Sequence, residues 1–240
     1  MAWFFTEAFV GDYYTITGED ARHIEKSLRM KIGESITLVD NDHIQHNGVI
    51  DSISSGNVTV KIFESFKCAQ EATVKVTLYQ ALPKGDKMDT IVQNAVELGV
   101  SEIVPVISAR CISRPDEKSM NKKIARWQKI SLQASQQSRR GVVPVVKEAV
   151  TFKQAVSTLD RNDCNVSFYE CGGDKVSDII KADKPINMFI GSEGGFEEQE
   201  VQSVIEKGGS AATLGKRVLR AETAPLTALS VIMYETGNLG

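Results

Sequence analysis

No stretch of the 240-residue chain approaches the roughly 20 consecutive apolar residues a membrane helix needs. Apolar runs such as Ile103 to Ala109 fall far short of that length. The opening Met1-Ala2-Trp3-Phe4-Phe5 carries no basic n-region, so the expectation is an unexported, cytoplasmic protein with no membrane partner. Cysteine is scarce: Cys68, Cys111, Cys164 and Cys171 show no Cys-x-x-Cys spacing, which excludes a disulfide framework and points to reduced thiols. All three histidines lie within the first 46 positions. His43 and His46 would pair on a metal only if further ligands converged there, and the adjoining Asn41-Asp42 reads as a turn, so no metal is expected. Aromatic residues make up 7% and the formal net charge is only -3, a balance that by itself argues against nucleic acid.

That average conceals an asymmetry. Between Arg110 and Lys147 there are ten Lys/Arg residues against Asp116 and Glu117, a local excess of +8 that leaves -11 for the rest of the chain. Positive charge concentrated in one stretch suits phosphates, and suits a solvated helix face equally well.

The length implies one or two domains at about 150 residues each, and the pattern changes part-way. Residues 1–70 read as short strands with one helix. Thr17-Gly18-Glu19-Asp20 precedes the apolar Ala21, Ile24 and Leu28, the pattern of a capped amphipathic helix. Ser35 to Val39, Gly48 to Ile53 and Asn57 to Phe63 are β-rich and separated by Asn-Asp and Ser-Ser-Gly-Asn turns, as in a small barrel. Glu64 to Thr73 loses periodicity and reads as a linker. From residue 73 to 240 strands and helices alternate: strands at 74–82, 102–107, 165–169, 186–190 and 211–214, with helices at 86–98, 120–138, 152–159, 197–207 and 223–234. That alternation predicts an α/β domain with a largely parallel sheet.

In such sheets ligands sit beyond the carboxyl ends of the strands, which singles out two loops. Ile190-Gly191-Ser192-Glu193-Gly194-Gly195-Phe196 has three glycines in five positions, so its backbone can approach a ligand closely. It is neither Gly-x-Gly-x-x-Gly nor a Walker loop, and Glu193, Glu197, Glu198 and Glu200 surround it. Four carboxylates would repel a triphosphate unless most merely complement the helix dipole, the role favoured for the last three. The second loop runs from Thr213 through Gly215 and the basic-apolar Lys216-Arg217-Val218-Leu219-Arg220 to Glu222 or Thr223, either of which could cap a helix that tolerates Pro225 only in its first turn.

Together, Ile190 to Phe196 and Leu214-Gly215-Lys216-Arg217-Val218-Leu219-Arg220-Ala221-Glu222-Thr223-Ala224 closely resemble the bacterial small-subunit ribosomal RNA uridine N3-methyltransferases, the RsmE family. Gln80 to Met88, Glu97-Leu98-Gly99-Val100, Arg126 to Ile130 and the early His23 with Leu28-Arg29 are similar to further landmarks, in the same order. The resemblance implies an N-terminal PUA-like small β-barrel over 1–70, then a SPOUT α/β domain over 73–240 with a C-terminal deep trefoil knot. It also implies a homodimer, S-adenosyl-L-methionine as methyl donor, and 16S ribosomal RNA or the small ribosomal subunit as partner. Against the family pattern, Ser192 stands where proline is usual and Ala221 where threonine is frequent.

Mapped onto this sequence, the resemblance assigns the cofactor to Leu82, Ile190, Gly191, Glu193, Gly194, Gly195, Leu214, Gly215, Val218, Leu219, Thr223 and Ala224. Backbone groups of Gly191, Gly194, Leu214 and Gly215 would bond adenine and ribose, while Ile190, Val218 and Leu219 would wall the adenine or simply pack in the core. A sulfonium cofactor suits the acidic loop better than a phosphate does. Arg220 is the expected catalytic residue, a guanidinium beside O2 or O4 of the uracil, with a salt bridge to Glu222 as its alternative role. Glu193 reads as a base or, preferably, a loop organiser. Arg22, Lys26, Arg29, Lys84, Lys122, Lys123, Arg126, Arg139 and Arg140 are the expected RNA contacts. Two other functions stay open on sequence: a non-catalytic RNA-binding or ribosome assembly factor, and a methyltransferase of the same class with a different RNA acceptor.

Overall fold

The computed structural model describes residues 2–240. They form two compact units, one comprising the chain up to Glu71 together with Ser135–Val143, the other Ala72–Ala134 with Pro144–Gly240. The first unit therefore includes a segment, 135–143, that lies far outside the expected 1–70.

In the N-terminal unit the elements are β1 (Ala2–Phe5), β2 (Tyr13–Ile16), α1 (Gly18–Arg22), a π-helical turn (His23–Leu28), β3 (Ser35–Val39), β4 (Ile44–Ser54) and β5 (Asn57–Lys67). The strands make a five-stranded sheet in the order β1-β3-β4-β5-β2. Only the β1–β3 pair is parallel. Alternation in β5 turns Val58, Val60 and Ile62 inward to meet Ile36, Leu38, Ile50 and the helical Ala21 and Ile24. Ser55 and Gly56 join β4 to β5 with both φ angles positive, the handedness that two-residue hairpins favour. Asp40 closes the next turn by accepting the amides of Asp42 and Ile44, both at 2.9 Å.

Two expectations need correction here. The helix after Thr17 widens into the π turn and stops where Arg29 takes a left-handed φ of 54°, and Thr17 makes no side-chain cap bond. The expected linker begins later, because Glu64 to Lys67 still pair with Ile44 to Asn47. Their side chains face solvent, so the ladder rests on backbone bonds that leave no hydrophobic period to read.

The second unit contains β6 (Val76–Ala81), α2 (Lys87–Glu97), β7 (Glu102–Ile107), α3 (Glu117–Ser138, whose last residues belong to the first unit), β8 (Val145–Val146), β9 (Val150–Thr151), α4 (Phe152–Ser157), β10 (Cys164–Phe168), α5 (Val176–Ile179), β11 (Ile186–Ile190), α6 (Glu198–Glu206), β12 (Ser210–Ala212) and α7 (Ala224–Glu235). The sheet runs β12-β10-β11-β6-β7-β8, with β9 also on β7, and every pairing is parallel. β10 and β11 are buried along their whole length, as expected of strands covered on both faces. Of their paired Asn165 and Asn187, the Asn187 side-chain amide donates to Asn165 Oδ1 at 2.9 Å and to Asp163 Oδ2 at 3.2 Å, and that of Asn165 donates to the Asp160 carbonyl at 2.7 Å. α2 buries Met88, Ile91, Val92, Ala95 and Val96, one face at helical spacing. The order reverses between β6 and β11: the chain moves from β6 toward β7 and β8, then returns to build β10, β11 and β12 on the other side. That reversal is where an open α/β sheet binds ligands.

Candidate active site

Beyond the carboxyl ends of β10, β11 and β12, three loops enclose a cavity of about 460 Å³. Its walls are Phe168–Glu170 after β10, Ile190–Glu193 with Gly195 after β11, and Thr213–Glu222 with Ala224 after β12, closed by Lys87 at the start of α2. The last loop thereby reaches Lys87 through Glu222.

Lys87 ties this end together. Its ammonium lies 2.8 Å from Glu193 Oε1 and 3.4 Å from Glu222 Oε2, and the Lys84 amide donates to Glu193 Oε1 at 3.1 Å. Burial pushes the Glu193 carboxyl up, but the hydrogen bond from Lys87, those from backbone amides and the Lys87 charge outweigh it and hold the group below the usual glutamate value. Glu222 is also held low, first by its own backbone amide and then, against the cost of desolvation, by Lys87 and the charge of Arg220. Lys87 itself is raised, chiefly by its bond to Glu193. These contacts tie the loops after β11 and β12 to the start of α2.

Ile190, Gly191, Glu193, Gly195, Leu214, Gly215, Val218, Leu219, Arg220 and Ala224 all stand in the cavity wall. Val218 is at the rim and 84% exposed. Leu82, Gly194 and Thr223, also expected to meet the cofactor, do not line the cavity. Leu82 is buried in the core, its amide bound to the Val106 carbonyl at 2.9 Å. A Cβ on Gly194 would lie 3.1 Å from the Arg110 Cβ. Thr223 is exposed at the entry to α7, where it makes no side-chain cap bond.

Sequence reasoning missed Phe168, Tyr169, Glu170 and Lys87. The end of β10 qualifies by the same rule as the other two strands, but only once β10 is known to lie between β12 and β11. Glu170 packs on Gly195: a Cβ there would fall 2.6 Å from the Glu170 Cδ and 2.7 Å from its Oε2, on a backbone with φ of 66°. The positive φ favours glycine here, and any larger residue would displace the Glu170 carboxylate from its present place.

Arg220 is exposed, and among the described residues no ion pair engages its guanidinium; Glu222 is committed to Lys87 instead. Its carbonyl accepts the amides of Thr223 and Ala224, both at 2.9 Å, which fixes the start of α7. Just before it, the backbone of 216–219 is in no regular element and makes no hydrogen bond within the described residues, leaving its donors and acceptors open to a ligand.

The basic residues divide. Arg22, Lys26, Arg29 and Arg139 are exposed on the first unit, and Lys84, Lys122 and Arg126 on the second, with Lys123 half-buried. Arg126 is also paired with Asp89. Arg140 corrects the expectation of a phosphate contact: it is 4% exposed, its Nη2 lies 2.5 Å from Glu71 Oε2, and Trp3 Nε1 donates to its carbonyl at 3.0 Å. His43 and His46 bond to the Gly141 carbonyl and to Asp40 with Ser65 respectively. All four cysteines are free thiols, and Cys171 alone of them is exposed.

Comparison with known proteins bears on this site. Residues 70–233 match the family model described as an RNA methyltransferase domain, and residues 16–63 match one described as an RNA methyltransferase PUA domain. The chain is 35% identical over 232 residues to the ribosomal RNA small subunit methyltransferase E of Bacillus subtilis, spanning 93% of this chain and 90% of that protein. A crystal structure of the corresponding enzyme from Neisseria gonorrhoeae bound to S-adenosyl methionine superposes with a TM-score of 0.90 at 33% identity, covering 98% of this chain and 97% of the other. A methyltransferase of Legionella pneumophila in complex with the same cofactor gives 0.86 at 30% identity, over 97% and 96% of the two chains.

Proposed function

The chain belongs to the ribosomal RNA small subunit methyltransferase E family, and from that premise we propose that it transfers a methyl group from S-adenosylmethionine to N3 of a uridine in 16S ribosomal RNA. The observation that carries this reading is the cavity at the ends of β10, β11 and β12, in which both glycine-bearing loops meet and Arg220 stands with its guanidinium uncommitted.

The residues present fit that cofactor. Ile190, Leu214 and Leu219 offer apolar surface for a purine, and the unspent backbone of 216–219 offers polar groups for its edge. When bound, the cofactor supplies a methyl group activated on a sulfonium. The chain's own task concerns the acceptor, because N3 of uracil carries a weakly acidic proton that must leave. Glu193 and Glu222 are both engaged by Lys87, which suits them to holding the loops together rather than to taking that proton. Solvent receives it. Arg220 lowers the cost by facing O2 or O4, where negative charge develops.

Several finer features belong to the same proposal. The five-stranded N-terminal sheet is a PUA-like barrel that holds RNA, and the second unit is a SPOUT domain whose last loops form a deep trefoil knot. Arg22, Lys26, Arg29, Lys84, Lys122, Lys123, Arg126 and Arg139 meet phosphates. A homodimer forms through α7, which buries Ala228, Leu229, Ile232 and Met233 in the core and leaves Leu226 and Val231 partly exposed. The enzyme works in the cytoplasm; no helix among the described residues is long and apolar enough to cross a membrane. Nucleoside mass spectrometry of 16S RNA from a deletion strain tests the reading. Loss of 3-methyluridine, restored by the gene in trans, is expected; an unchanged level, or loss of a ribose- or guanine-methylated nucleoside instead, would overturn it.

A further inference from the structure

Three carboxylates line the cavity, and they are not equivalent. Glu193 and Glu222 are both held by Lys87, at the end of the cavity nearest β6. Glu170, at the carboxyl end of β10, has no hydrogen bond or ion pair among the described residues, and its side chain lies against Gly195, which has no Cβ to displace it. Glu170 is thus the one cavity carboxylate that Lys87 does not engage, and its two oxygens are free to accept from a ligand, with Gly195 leaving room beside it.

We propose that Glu170 binds the ribose diol of the cofactor, accepting one hydrogen bond from each hydroxyl. The inference rests on the reading of the cavity as a methyl-donor site. Its position argues for ribose over the sulfonium. The reacting methyl must face the incoming base beside Arg220, and the loop bearing Arg220 reaches toward Lys87, which follows β6. Glu170 belongs instead to β10, which is separated from β6 by β11. A carboxylate beyond the end of a neighbouring parallel strand is also the chemistry by which dinucleotide folds hold ribose hydroxyls, and its two oxygens match a vicinal diol.

The test measures affinity by calorimetry for wild type, Glu170→Ala and Glu170→Gln, using S-adenosylmethionine, S-adenosylhomocysteine and the 2′-deoxy and 3′-deoxy forms of the latter. In wild type, removing either hydroxyl should weaken binding about tenfold or more, the scale of a hydrogen bond to a charged group. Glu170→Ala should weaken S-adenosylmethionine and S-adenosylhomocysteine alike and no longer distinguish the deoxy forms, while Glu170→Gln should keep part of the discrimination. Undiminished discrimination in Glu170→Ala overturns the proposal. A loss confined to S-adenosylmethionine overturns it too, because it would place the carboxylate at the sulfonium. The role assigned to the cavity is judged separately: wild type that binds neither S-adenosylmethionine nor S-adenosylhomocysteine defeats that reading. Glu170 is exposed and unpaired, so both variants should fold, and a wild type indifferent to the hydroxyls refutes the proposal with no variant at all.

Discussion

Replacing Arg220 by alanine separates chemistry from scaffolding. The side chain is exposed and makes no ion pair among the described residues, while its carbonyl, which anchors the start of α7, survives the substitution. Stability should therefore change by no more than about 0.5 kcal/mol, as for surface positions in general. The chemical effect is much larger. A guanidinium about 4 Å from a developing anion is worth on the order of 1 kcal/mol in bulk water and about 4 kcal/mol at the effective dielectric of a protein surface. A site closed by RNA approaches the second figure, which agrees with the roughly 2.7–4 kcal/mol lost when one oxyanion donor is removed. Single-turnover methylation at saturating RNA and cofactor should fall about 10²- to 10³-fold, with cofactor affinity almost unchanged. Arg220→Lys restores the charge but not the planar fork, so it should recover only part of the rate. A near wild-type rate in well-folded Arg220→Ala would remove the residue from the mechanism.

Glu71→Ala strips the buried Arg140 of its carboxylate. It should destabilise the N-terminal unit by about 3 kcal/mol, the lower end for broken buried pairs because Glu71 remains partly exposed, and chemical denaturation measures it. Asp40 tests acid stability: burial raises its pKa, but the Ile44 amide, His46 and the Asp42 amide outweigh burial and leave it below 3.8. Its contribution is thus present above the ordinary aspartate value and lost as pH falls through the lower folded one. Asp40→Asn should be less stable at pH 7 yet lose less on acidification below about pH 4; parallel melting curves would contradict this. Lys87→Met releases Glu193 and Glu222 from their shared cation, so their pKa values should rise and cofactor binding should fail at a higher pH than in wild type. Titrations from pH 4 to 7 would show an unmoved acid limb if Lys87 does not organise the site.

Much of the site was legible because its chemistry is local. Gly191, Gly195, Leu214, Gly215 and Arg220 occupy two contiguous loops, and a strand followed by glycine and then a helix marks such loops directly. Glu170 was not legible, since its relevance depends on β10 being the spatial neighbour of β11 and β12, and strand order is a property of the folded sheet. Lys87 was hidden for the same reason, its partners being 106 and more residues away. Arg140 illustrates the limit of charge counting: a run of basic residues records sign and density but not direction, and the carboxylate that turns this one inward is 69 positions earlier. In the fold, β-rich composition between turn signals revealed β3 and the centres of β4 and β5, while the outer half of β5 escaped notice because Glu64–Lys67 are all exposed.

The most direct test of the central claim is to incubate the purified protein with S-adenosylmethionine deuterated at the methyl group and with 16S RNA or small ribosomal subunits lacking the modification, then to digest the RNA and analyse its nucleosides by mass spectrometry. The account predicts one labelled product, 3-methyluridine, at one position and in an amount approaching one per RNA, and its near absence with Arg220→Ala. Label on a ribose oxygen or on guanine, or RNA binding without any transfer of label from a bound cofactor, would contradict it.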